Sequence, residues 1–196
     1  MPATKAEDFM PVLSENFESG WRFWTDDNTG LTPTYSLSTN QSHSGNYSAW
    51  GEYTPNKLFI SQDFIATSPD VRVEAWFYLA SGGYGVDAGF KLRCNGVVMT
   101  NFGVNDYGHP SYEVDKWSGY ETNSTIVGSY YNSWTNVTMV LHFSPEDGYI
   151  KVWINNSLSF DLSNTNSPYF SIDKITIYSD DGNRGSYIDD ISIKQI

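Results

Sequence analysis

The sequence predicts an all-β chain folded as a two-sheet antiparallel β-sandwich, and three observations carry that prediction. Apolar and polar residues alternate with period two in segment after segment. No stretch shows a convincing 3.6-residue period. Aromatics make up 16% of the 196 residues, and Ser, Thr, Asn, Gly and Tyr dominate the rest. That mixture favours short strands joined by polar turns, and the length suffices for one sizeable core.

The candidate strands follow in chain order. "LFISQDFI" (58–65) is the first. In "VRVEAWFYL", Val71, Val73, Ala75, Phe77 and Leu79 share one face, while Arg72, Glu74, Trp76 and Tyr78 share the other. "AGFKLRCNGVVMT" (88–100) reads as a further strand. "NVTMVLHF" places Val137, Met139, Leu141 and Phe143 on one face. "YIKVWINN" sets Ile150, Val152 and Ile154 against Lys151, Trp153 and Asn155. Between these two, "SPEDGYI" contains Asp-Gly and reads as a hairpin turn. "DKITIYS" turns Ile175 and Ile177 inward and Thr176 and Tyr178 outward; "SYIDDISIKQI" (186–196) closes the set. With no repeat or linker visible, residues 1–13 read as a lead-in and 14–196 as one domain.

Charge and cysteine content narrow the function. The formal charge of −12 makes nucleic acid an unlikely partner, because binding it takes a basic footprint. It disfavours acidic polysaccharide too, unless a local basic patch overrules the total. Surplus carboxylates suit calcium. The single cysteine, Cys94, alternates with Phe90 and Leu92 and reads as a small buried hydrophobe. No run reaches transmembrane length, so no membrane insertion is expected. "MPATKAEDFMPVL" lacks the apolar run of a signal peptide, so an exported protein of this kind would have lost its signal. Asn40, Asn46, Asn123, Asn136 and Asn155 stand in Asn-x-Ser/Thr sequons, weak support for a secreted or cell-surface location.

Three stretches carry a family likeness: "ENFESGWRFW" with "SHSGNYSAWGEY", then "SWTNVTMVLHFSPEDGYIKVWINNSLSF", then "FSIDKITIYSDDGNRGSYIDDISI". Together they resemble the concanavalin-A-like jelly rolls, a superfamily that holds laminin-G-like and lectin-like domains and several glycanases. The opening motif also resembles carbohydrate-binding modules of jelly-roll type. The resemblance implies that the first and last strands pair and that a structural Ca2+ sits beside them. Glu18 in "FESG" and Asp189 or Asp190 in "YIDD" match the positions of its ligands. Asp189 is expected to share a face with Ile191 and Ile193, where a buried carboxylate would need a metal or a strong donor. The alternative is an Asp that accepts backbone N–H groups in a turn. Where laminin-G-like chains usually carry Asn-Gly, this one has Asn155-Asn156, and Asn tolerates the positive φ of such a turn.

Catalytic patterns are scarce. The Glu-x-Asp-x-x-Glu of the superfamily's glucanases is absent, and His43, His109 and His142 have no metal-like spacing. Glycan binding requires less: ring faces for sugar C–H groups, and polar groups for hydroxyls. Trp24 beside Asp26 and Asp27 offers both. So does "NDYGHPSYEVDKWSGYE" (105–121), which reads as a binding loop or as a lid whose rings cap the sandwich. Its rings are Tyr107, Tyr112, Trp117 and Tyr120; its polar groups include Asn105, Asp106, His109 and Glu121. Trp76, Tyr78 and Trp153 add rings on outward strand faces, where they bind a ligand or are covered by loops. The expectation is a secreted non-catalytic lectin-like module for polysaccharide or glycan. The alternatives are a structural or adhesive surface domain meeting other surface proteins, and a polysaccharide hydrolase or lyase.

Overall fold

A computed structural model of the chain describes residues 10–21, 23–26, 37–51, 58–80, 87–106, 110–115, 122–126, 131–163, 167, 171–181 and 186–195. Every regular element among them is a β-strand: β1 (Met10–Glu15), β2 (Thr25–Asp26), β3 (Ala49–Gly51), β4 (Leu58–Asp63), β5 (Asp70–Leu79), β6 (Asp87–Cys94), β7 (Val97–Asp106), β8 (Pro110–Asp115), β9 (Thr122–Ile126), β10 (Trp134–His142), β11 (Tyr149–Ile154), β12 (Ser157–Ser163), β13 (Lys174–Asp181) and β14 (Ser186–Gln195). They form two antiparallel sheets. The first runs β1-β14-β5-β10-β11-β12, with β3 also paired to β14; the second runs β2-β4-β13-β6-β7-β8-β9.

Alternation does what the sequence promised. Along β5 every second residue from Val71 to Leu79 is buried, and Val137, Met139, Leu141, Ile150, Val152 and Ile154 meet them in the core. The second sheet contributes Ile60, Phe90, Leu92, Phe102, Ile175 and Ile177. Cys94 is buried and unpaired as a disulfide. β1 pairs with β14 from Met10↔Gln195 onward, so residues 10–13, read as lead-in, belong to the sheet.

Three local readings need correction. The 88–100 segment is two strands, because Asn95 and Gly96 both take positive φ (50° and 79°) and turn the chain between β6 and β7. Part of the 105–121 "loop" is strand: β7 runs to Asp106, and β8 pairs with both β7 and β9. Pro110 opens β8, a position where a missing N–H is tolerated. Asp189 does not share a face with Ile191 and Ile193. Asp190 takes φ 46° and sits unpaired in a β-bulge, so Asp189 pairs opposite Trp76 while Ser192 pairs opposite Glu74. The extra residue flips the phase and puts Asp189 on the outer side of the first sheet. The Asn155-Asn156 turn does survive as expected, with φ 48° and 65°.

Candidate functional site

The outer face of the first sheet is a grid set by strand register. One row across β14, β5, β10 and β11 reads Ser192, Glu74, Thr138, Trp153; the next reads Lys194, Arg72, Val140, Lys151. Between these rows lies a groove of about 300 Å³ lined by Arg72, Thr138, Val140, Trp153 and Asn156. Its volume stands at the low end of small-ligand sites, which run from roughly 300 Å³ upward.

Local bonds fix the lining. Asn155 N–H donates to the Asn136 carbonyl (2.9 Å), and Asn155 Oδ1 accepts the Asn136 N–H (2.9 Å). That reciprocal clamp anchors the β11–β12 turn carrying Asn156. Thr138 Oγ1 donates to Asn136 Oδ1 (3.3 Å). Arg72 donates from Nε to Glu74 Oε1 (3.1 Å) and from Nη2 to the same oxygen. Glu74 Oε2 lies 3.5 Å from Lys194 Nζ. The indole of Trp153 is half-buried, backed by cross-strand Thr138 and by Leu158, which is 52% exposed on the edge strand β12. A flat apolar ring with N–H, O–H and amide groups around it can hold a sugar ring by its C–H face and meet its hydroxyls.

Trp76 and Tyr78 share this face and are half-buried like Trp153, but other rings pack against them. The 37–51 segment folds over the end of the sheet, and His43 stacks on Trp76 with ring centroids 3.7 Å apart. Trp134 packs edge-on to His43 and tilts against Tyr78, while Tyr187 packs between Tyr78 and Trp50. These rings form a second small core, the covered alternative that the sequence left open. Trp24 is likewise no platform: it is 2% exposed, packed beside Phe17, with Nε1 donating to Glu15 Oε2 (3.2 Å).

For the 105–121 stretch, Asn105 and Asp106 stand opposite Ser111 and Pro110, and Tyr112 stands opposite Val104. Tyr107, His109, Trp117, Tyr120 and Glu121 lie outside the described residues.

The three expected calcium ligands do gather at one turn, but their oxygens face hydrogen-bond donors. Glu18 Oε1 accepts the N–H groups of Asn46 (2.6 Å) and Tyr47 (2.7 Å), which hold its pKa below the usual value. Asp189 Oδ2 accepts those of His43 (2.9 Å) and Ser44 (3.3 Å), and its Oδ1 accepts that of Asp190. Asp190 Oδ1 accepts the Ser44 hydroxyl (2.7 Å), and its Oδ2 lies 2.6 Å from His43 Nδ1. Asp189 is fully buried, and desolvation pushes its pKa up to about 6 despite those donors. A hard cation needs lone pairs converging on one point. Here they point at separate N–H and O–H groups, and among the described residues no cluster of three His, Cys, Asp or Glu could hold a metal ion. The donor set therefore does not fit calcium in this arrangement.

Sequence reasoning placed Trp153 and Arg72 on the outer face but missed Thr138 and Asn156 as their neighbours. The alternation in β10 and the hairpin register contained that signal. It also missed His43 as the cap on Trp76, for which no local pattern exists.

No protein-family model and no curated protein matches the chain. Solved structures do match in shape. The globular domain of T. cruzi calreticulin aligns over 95% of this chain and 88% of its own, with 11% identity and a TM-score of 0.67. The CBM2 module of the evolved Dit of Lactobacillus casei BL23 phage J-1 aligns over 96% of both chains, with 9% identity and a TM-score of 0.66. SCLam, a non-specific endo-β-1,3(4)-glucanase of family GH16, aligns over 100% of this chain and 94% of its own, with 10% identity and a TM-score of 0.66. At such identities the likeness establishes the fold alone, a two-sheet antiparallel β-sandwich. Among the described residues no helix is long and apolar enough to cross a membrane.

Proposed function

We propose that this chain is a secreted, lectin-like carbohydrate-binding module whose ligand lies in the groove on the outer face of the first sheet. One observation carries the reading: among the described residues Trp153 lines an open groove on that face, with Arg72, Thr138 and Asn156 as its polar neighbours. The shared fold with a phage CBM2 module and a GH16 glucanase supports it. Hydrolysis would need two carboxylates roughly 5–10 Å apart across the sugar. Among the described residues, Glu74, which bonds the groove residue Arg72, is committed to Arg72 and Lys194. Calcium has no part in this reading.

A glycan array, followed by titration of tryptophan fluorescence with the positive ligands, tests it. Trp153→Ala should weaken binding about fivefold or more, in keeping with the roughly 1 kcal/mol that a stacked ring contributes beyond its buried area. An array without signal, or undiminished binding by Trp153→Ala, would reject the proposal.

A further inference from the structure

The groove borders a concentration of positive charge that the chain's overall balance conceals. Six Lys and Arg residues are described, and three of them, Lys194, Arg72 and Lys151, stand in one register row across β14, β5 and β11. Lys194 is directly opposite Arg72, a like-charge pair that destabilises a sheet unless something offsets it. Glu74 bridges those two, and Asp161 lies 3.5 Å from Lys151. Asp70, the next carboxylate on that face of β5, is bonded to His142 Nδ1 (2.8 Å), so three cations cluster beside the groove in a chain whose net charge is −12.

Arg72 sets the chemistry. Glu74 occupies its Nε and Nη2 edge through a single oxygen and so fixes the guanidinium plane. No described residue bonds Nη1, and Arg72 lines the groove beside Trp153. A guanidinium fork matches a planar carboxylate with two parallel N–H···O bonds. A neutral sugar would need none of these cations.

We infer that the groove selects acidic saccharides, with a uronate ring on Trp153 and its carboxylate on the free edge of Arg72. This rests on the proposed glycan binding and adds the ligand class. Lys151 adds long-range attraction, so affinity should fall with salt.

The test titrates the protein with oligo-uronates of several linkages, with the same oligomers carboxyl-reduced to primary alcohols, and with sulfated neutral oligomers. At least one uronate should bind tenfold or more tighter than its reduced form. Arg72→Gln should shrink that preference to about threefold or less. Arg72→Lys, which keeps the charge and loses the fork, should shrink it several-fold and serves if Arg72→Gln does not fold. Lys174→Ala, on the opposite sheet, should bind like the parent. Equal binding of uronates and reduced forms overturns the acidic preference and leaves glycan binding at Trp153 standing. Tighter binding of sulfated oligomers overturns the carboxylate assignment. No binding to any oligomer, together with an empty array, overturns this inference and the proposed function alike.

Discussion

Individual residues around the 42–47 turn hold the end of the first sheet through carboxylates, and each makes a separate claim on stability. Gly45 has φ 62°, and a Cβ there would lie 2.5 Å from Glu18 Oε1. Glu18 could swing away, but only by releasing the N–H groups of Asn46 and Tyr47. Gly45→Ala should therefore cost about 1–3 kcal/mol, read as a lowered thermal midpoint. Asp189 predicts a pH dependence with a definite sign. Its pKa is raised from 3.8 to about 6 by burial, so the folded state holds the proton more tightly than the unfolded one. Ionisation then penalises the fold; the penalty is absent below about pH 4 and complete above about pH 6. Relative to Asp189→Asn, the parent should lose stability as pH rises across that window, and a difference that stays flat by calorimetry would remove the assignment. The same donors argue about metal. With every oxygen facing an N–H or O–H, millimolar calcium should leave the melting temperature unchanged relative to chelator. A rise of several degrees would show that the carboxylates reorganise around the ion, as the family resemblance implied.

At the scale of strands, legibility tracked how local the cause was. β5, β10 and β11 were plain from alternation, because a half-buried strand writes its two faces into the sequence. The bulge at Asp190 was not, since one inserted residue inverts the phase without altering composition, and it moved Asp189 to the other side of the sheet. β8 was hidden because its rings and charges look like a loop until β7 and β9 are known to flank it. Of the site, Trp153 and Arg72 were visible. The covering of Trp76 was not, because His43 comes from a segment that only tertiary structure brings near. A glycine pair in the second sheet tests how closely strands can be read for packing. A Cβ on Gly103 would meet Tyr178 Oη at 2.5 Å, whereas one on Gly89 would meet the Phe102 carbonyl at 2.1 Å as well as that hydroxyl at 2.7 Å. Gly103→Ala should be costly alone, by about 1–3 kcal/mol, and largely rescued in combination with Tyr178→Phe. Gly89→Ala should cost more and resist rescue, because a neighbouring strand's backbone cannot be trimmed. Equal rescue at both sites in denaturant titrations would contradict the steric account.

Over the whole molecule, neither sheet is built from a continuous piece of chain. The first takes β1, β3, β5, β10, β11, β12 and β14; the second takes β2, β4, β6 to β9 and β13. Each core face therefore exists only when distant segments have met, and no contiguous half can bury its apolar side alone. β14 concentrates this dependence. It pairs with β1, β3 and β5, and it supplies Ile188, Ile191 and Ile193 to the core. It also carries Asp189 and Asp190, which anchor the turn that caps Trp76, and Lys194, which bridges to Glu74 beside the groove. Removing residues 186–196 would leave β1 and β3 without partners and β5 as an apolar edge, an arrangement that favours aggregation. The truncated chain should show no cooperative thermal transition by circular dichroism. In the intact protein, tryptophan fluorescence and far-ultraviolet circular dichroism should trace one coincident unfolding curve in denaturant. Two resolved transitions would mean that one sheet survives without the other, which this interleaving of strands forbids. They would also detach the Trp153 groove from the closing strand that steadies Arg72 through Glu74 and Lys194.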